Sequence, residues 1–138
     1  MIHKVETKWI EKLQFEVKTD AGVLSLDGPE AAGGMGKGLR SKPLMLASLS
    51  GCTGMDVSSL IKKMHLDVEE FTVNVEAELG EEHPKMYKYV KVIYNFKGDQ
   101  LNKDKLKKAV DLSVTKYCGV IAMFKTFATV DIEVNFNK

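Results

Sequence analysis

The run from Lys42 to Met64 limits this chain more than any other stretch: Lys-Pro-Leu-Met-Leu-Ala-Ser-Leu-Ser-Gly-Cys-Thr-Gly-Met-Asp-Val-Ser-Ser-Leu-Ile-Lys-Lys-Met. It reads as one long central helix. Ser41 or Lys42 caps it, and Pro43 suits the first turn, where a missing N–H costs nothing and φ is already helical. From Leu44 to Leu49 nearly every residue is apolar or small, which predicts burial almost all round. Beyond that the apolar pattern narrows to Met55, Leu60, Ile61 and Met64, with Lys62 and Lys63 pointing elsewhere. The apolar part reads as too short, and too interrupted by Asp56 and the lysines, to cross a bilayer, which needs about 20 residues. Cys52 stands near the middle, flanked by Gly51 and Gly54. Each glycine costs a helix about 1 kcal/mol relative to alanine. Either another element packs closely there, or the glycines clear space around the Cys52 sulfur.

The chain around this helix alternates with the period of strands. His3–Ile10, Leu13–Lys18 and Val23–Leu26 read as a three-stranded antiparallel meander, joined by a tight connection and by a turn at Thr19-Asp20-Ala21-Gly22. Glu70–Leu79 and Met86–Phe96 alternate strongly, the latter with Met86, Val90, Val92, Tyr94 and Phe96 on one face. A second helix starts at Asn102 or Asp104 and runs to about Tyr117, with Gly119 as its C′ residue. A short helical turn over Val120–Phe124 and a last strand, Thr126–Phe136, close the chain. The order β-β-β-α-β-β-α-β defines an α+β class with antiparallel sheet. At 138 residues it reads as one domain, residues 1–138. Two main helices are too few to cover a fully apolar central helix, which predicts a dimer that shares this core.

Between the meander and the helix lies Asp27–Gly38, with five glycines and a proline. That composition excludes regular structure. A phosphate-binding loop is excluded as well, because no hydroxyl follows the lysine of Gly36-Lys37-Gly38. The segment is either a mobile arm or a loop packed on a partner.

The net charge of +1 leaves no electrostatic footprint for nucleic acid or an anionic membrane. The N-terminal residues carry no signal-peptide pattern, and two cysteines do not make a secreted disulfide scaffold, so a cytoplasmic setting is expected. Cys52, Cys118 and the three histidines lack metal-ligand spacing, so no metal or cofactor is expected. His3, His65 and His83 read as solvated residues, and a hydrolase built on them has weak support. Of the 20 basic residues only Arg40 is arginine, placed just before the central helix. Arginine is the better residue for fixed, bidentate contacts; equally, its position has no meaning if lysine is simply the chain's surface cation.

Free cysteines commonly pack as small hydrophobes, but both of these have glycine beside them: Gly51-Cys52-Thr53-Gly54-Met55-Asp56-Val57 and Leu112-Ser113-Val114-Thr115-Lys116-Tyr117-Cys118-Gly119. These two stretches resemble the patterns A-x-x-G-C-x-x-M-D-V and L-S-x-x-K-Y-C-x-V of the OsmC/Ohr family of thiol peroxidases. Glu82-His83-Pro84 resembles the family's E-H-P stretch between the middle strands. The resemblance spans the whole chain in element order and is strongest to the smaller OsmC-like branch with G-C-T-x-M-D-V. It implies an intertwined homodimer with sheets wrapped around paired central helices. It also implies an activity. The Cys52 thiolate attacks an organic hydroperoxide and becomes a sulfenic acid, Cys118 condenses with it to a disulfide, and an external dithiol, a lipoylated or thioredoxin-like protein, reduces that. The alternative is a non-enzymatic member of the same fold that binds an apolar ligand or senses redox state at its dimer pocket.

The chain departs from the family at the activating residues. Characterised members place a glutamate ten residues before the reactive cysteine and pair it with an upstream arginine; here Lys42 holds that position and Arg40 is the only arginine. Cationic neighbours favour a thiolate, which makes Arg40 and Lys42 the candidate activators. Ten to twelve helical residues span roughly 15–18 Å, so they would act on the partner subunit's cysteine rather than on their own.

Overall fold

A computed structural model describes residues 1–138, and its backbone divides into two units, Met1–Met45 and Leu46–Lys138. In the first, β1 (Glu6–Glu11), β2 (Gln14–Thr19) and β3 (Gly22–Leu26) form the expected antiparallel meander in the order β1-β2-β3. Within this unit only Val17 and Asp27 are buried.

The glycine-rich segment after β3 is organised rather than irregular throughout. Glu30–Ala32 forms one 3₁₀ turn, and Leu39 forms an isolated bridge with Leu26. The organiser is Asp27. Its carboxylate accepts the backbone N–H groups of Gly28 (2.7 Å), Met35 (3.2 Å) and Lys37 (3.1 Å). Burial alone would raise the Asp27 pKa. The Lys37, Gly28 and Met35 donors, with the Arg40 charge, outweigh it and hold the carboxyl below its ordinary value. Gly34 is required here because a Cβ would collide with the Gly28 carbonyl.

The helix α1 (Ser41–Lys63) has Pro43 in its first turn, as expected. The expected burial all round Leu44–Leu49 does not occur: Leu49 alone is buried there, Leu44 and Leu46 are half-buried, and Met45 is exposed. The buried stripe is Leu49, Thr53 and Val57, at i, i+4 and i+8. Gly51 has nothing within 4 Å of a built Cβ, and Gly54 meets only Val73 Cγ2 at 3.6 Å, so close packing within the chain explains neither. The length and mean hydropathy of α1 do reach those of a membrane span, contrary to the reading from sequence. Its Leu49–Thr53–Val57 stripe, packed in the core, marks it instead as a core helix.

The second unit's sheet has the order β4-β5-β6, from β4 (Glu70–Leu79), β5 (Tyr87–Lys97) and β6 (Thr129–Asn137). Val90, Val92, Tyr94 and Phe96 are fully buried, on the face the alternation assigned, but Met86 is exposed and Tyr87 is buried instead, because the ladder shifts register between Glu78 and Leu79 at that end of β5. β4 and β5 pair antiparallel, but β6 runs parallel to β5, so this sheet is mixed where an antiparallel one was expected. The reason lies in the connection. It contains α2 (Lys103–Leu112), a π turn (Ser113–Tyr117) and α3 (Gly119–Lys125), and a crossover of that length returns the chain to start β6 at the same end as β5. The helical run does reach Tyr117, as its period suggested, but its last five residues, Ser113–Tyr117, are π-wound rather than α. Gly119 is the first residue of α3, not a C′ glycine.

Candidate active site

Cys52 is half-buried on α1, one residue before the buried Thr53. Cys118 is 4% exposed and stands between the π turn and α3. Its N–H closes the π turn on the Ser113 carbonyl at 2.8 Å, and its sulfur accepts the Ile121 N–H at 3.3 Å as the N-cap of α3. The two thiols are free, and Cys52 packs against the core cluster that contains Cys118 and is among the neighbours that perturb its thiol. Two residues 66 positions apart in sequence are thus brought to one cluster of the second unit.

Burial is the first reason the Cys118 thiol is pushed up to about 11. The Ile121 N–H opposes the shift and the Cys52 neighbour adds to it. At neutral pH Cys118 therefore holds its proton.

Beside the pair runs a line of polar groups that the sequence reading did not single out. The Ser113 hydroxyl donates to Asp56 Oδ2 at 2.9 Å. A serine hydroxyl has one proton, so the 2.7 Å contact between Ser113 and Thr53 must be Thr53 donating. The same count makes the 2.6 Å contact between Tyr94 and Thr53 a donation by Tyr94. Proton direction then runs one way, Tyr94 to Thr53 to Ser113 to Asp56. Thr53, Tyr94 and Ser113 are each wholly buried. Burial, chiefly, pushes the Tyr94 phenol up to about 12, against the opposing effect of the Thr53 hydrogen bond. One signal of this line was present in the sequence: Thr53 lies four residues from both Leu49 and Val57, a hydroxyl within an apolar stripe.

The remaining candidates lie elsewhere. Arg40 Nη1 donates to the carbonyls of Gly38 (2.9 Å) and Asp27 (3.4 Å), fastening the glycine-rich loop. Lys42 is exposed in the first turn of α1. His3, His65 and His83 are exposed, and no histidine is hydrogen-bonded to either thiol.

The fold and this site define an α+β protein with a thiol pair brought together on a central helix and a following π turn. The OsmC-like protein family model matches residues 34–133, and the chain belongs to that family. It is 28% identical over 123 residues to protein YhfA of Escherichia coli K12, covering 88% of this chain and 89% of YhfA. A hypothetical protein from Aquifex aeolicus superposes with a TM-score of 0.88 at 29% identity, over 100% of this chain and 98% of the other. An organic hydroperoxide resistance protein, OsmC, from Legionella pneumophila shares the fold, with a TM-score of 0.73 at 18% identity over 98% and 97% of the two chains.

Proposed function

We propose that the protein is a thiol-dependent reductase of organic hydroperoxides, a single OsmC-like domain acting as a homodimer. The observation that carries this reading is the meeting of a half-buried Cys52 with a buried, proton-holding Cys118. In the first step the Cys52 thiolate attacks the distal peroxide oxygen. The O–O bond breaks, Cys52 becomes a sulfenic acid, and the leaving alkoxide takes a proton to become an alcohol. In the second, the Cys118 sulfur displaces the sulfenic hydroxyl. The S–S bond forms, and the departing hydroxide leaves as water with the thiol proton. An external dithiol, lipoylated or thioredoxin-like, then restores both thiols and is itself oxidised to a disulfide.

Two features support the dimer. The small-residue face of α1 at Gly51 and Gly54 has almost nothing against it within one chain, and Met55 on the same side is 75% exposed. A second copy would cover this face and would bring its own Arg40 and Lys42 as activators of Cys52. A cytoplasmic setting keeps the resting thiols reduced.

One observation favours a second reading. Gly51, Gly54, Met55, Phe71 and Val73 line an open, mainly apolar groove of about 500 Å³. In that reading the protein holds an apolar ligand there and its thiols do not turn over. Titration of the reduced protein with cumene hydroperoxide and with hydrogen peroxide separates the two. Free thiols and intact mass are followed alongside Cys52→Ser and Cys118→Ser. Rapid loss of both thiols to an intramolecular disulfide, with sulfenic acid trapped in Cys118→Ser, supports the reductase. Survival of both thiols in excess peroxide for many minutes refutes it.

A further inference from the structure

Ser113 contacts both cysteine-bearing segments. Its hydroxyl is held by Thr53, the neighbour of Cys52, and by Asp56, four residues beyond Cys52 on α1. Its carbonyl accepts the Cys118 N–H across the π turn. Had the helix continued with α geometry, the Cys118 N–H would bond the residue 114 carbonyl and the chain would stay helical. The wider π closure instead releases Cys118 into an extended conformation, φ −79° and ψ 102°, as the cap of α3. Single π turns inside helices are frequently found at functional sites. No buried side-chain nitrogen or oxygen in the protein lacks a hydrogen-bond partner, so the Tyr94–Thr53–Ser113–Asp56 line is fully satisfied and stiff.

We propose that Ser113 is the positioning residue of the cysteine pair: its hydroxyl, tied to Thr53 and Asp56, and its carbonyl, tied to the Cys118 N–H, hold the two cysteine-bearing segments in register so that the sulfurs can be joined. The proposal rests on reading Cys52 and Cys118 as one redox pair, but it does not require a peroxide. Glutathione disulfide oxidises the same pair. Two electrons pass from the protein dithiol to the glutathione S–S bond, the two protein protons end on two glutathione thiols, and the Cys52–Cys118 bond forms.

The test equilibrates the full-length protein in graded glutathione buffers and reads the disulfide fraction by alkylation and intact mass. Ser113→Ala is expected to lower the equilibrium constant for the disulfide about tenfold, equivalent to about 30 mV. Tyr94→Phe removes a buried hydrogen bond but keeps every tie of Ser113 to the cysteine segments, and it should stay within about twofold of the parent. The proposal is overturned if Ser113→Ala matches the parent, or if Tyr94→Phe falls as far as Ser113→Ala. Should Ser113→Ala fail to fold, Thr53→Val and Asp56→Ala each cut one tie and should each lower the constant severalfold; no change in both overturns the proposal. A parent that forms no disulfide in any buffer overturns both the pair and its positioning. A parent that forms the disulfide but ignores cumene hydroperoxide overturns the reductase reading alone.

Discussion

The one-way run of hydroxyl protons makes a prediction about stability that can be worked link by link. In Tyr94→Phe the first donor disappears. Thr53 keeps its own acceptor on Ser113, so what is lost is one buried hydrogen bond of 2.6 Å with no donor stranded. A typical net contribution for such a bond is about 1 kcal/mol. In Thr53→Val the volume is nearly conserved, but the Tyr94 O–H, in a wholly buried side chain, faces a methyl group and has no acceptor. Stranding a buried donor costs about 1–3 kcal/mol, and the Ser113 hydroxyl loses a donor as well. Thr53→Val should therefore be the more damaging, by about 1 kcal/mol, which corresponds to roughly 2–4 °C in a domain of this size. In the double variant no donor is stranded, and its loss should fall below the sum of the two single losses. The assay is thermal and urea unfolding of all four proteins at one concentration, since a dimer's stability depends on concentration. A Tyr94→Phe protein less stable than Thr53→Val, or strict additivity in the double variant, would show that the protons do not run from Tyr94 towards Asp56.

Three further outcomes are expected. In Cys52→Ser the Cys118 thiol should titrate above its ordinary value of 9.0, because burial, the leading cause, is retained; thiolate absorbance at 240 nm, read as the difference from the double serine variant, measures it. Because this folded-state pKa is raised, the stability it contributes is complete below pH 9 and is lost as pH climbs towards about 11. Asp27→Asn should speed amide hydrogen exchange at Met35 and Lys37, whose N–H groups both bond Asp27 Oδ2; protection equal to the parent would remove Asp27 as organiser of the loop. Its lowered pKa makes that contribution present above about pH 4 and lost as pH falls through the folded value, so the same amides should lose protection in acid. Gly51→Ala adds a methyl that meets nothing within its own chain, so sedimentation should shift towards monomer while helix content is kept; an unchanged dimer would place the subunit contact elsewhere.

Much of this protein follows from local pattern. The alternation in Phe71–Ala77 and Val90–Phe96 defines β4 and β5 and the face that each buries, because side-chain direction in a strand reverses at every residue. Pro43 and the apolar run after it define α1, and Asn102 caps α2 by accepting the Lys105 N–H, as its position before a helical pattern implied. The motifs around Cys52 and Cys118 were sufficient to suggest the family. What could not be read there depends on partners distant in sequence. The parallel pairing of β6 comes from where the α2–α3 crossover delivers the chain, and the π turn at Ser113–Tyr117 continues the helical period of α2 so closely that no residue pattern separates them. The apolar half of α1 suggested burial, yet hydrophobicity reports only a preference for cover and not whether one chain provides it. The same holds for Thr53, Tyr94 and Ser113. Each is an ordinary hydroxyl in its own element, and their order as donors and acceptors exists only once packing has brought a helix, a strand and a turn together. Composition and period determined the elements and the two thiols, because those are properties of neighbouring residues. The meeting of the thiols and the polar line beside them were decided by tertiary structure, because a hydrogen bond requires two groups within about 3 Å and the sequence separates these by 41 and 60 residues.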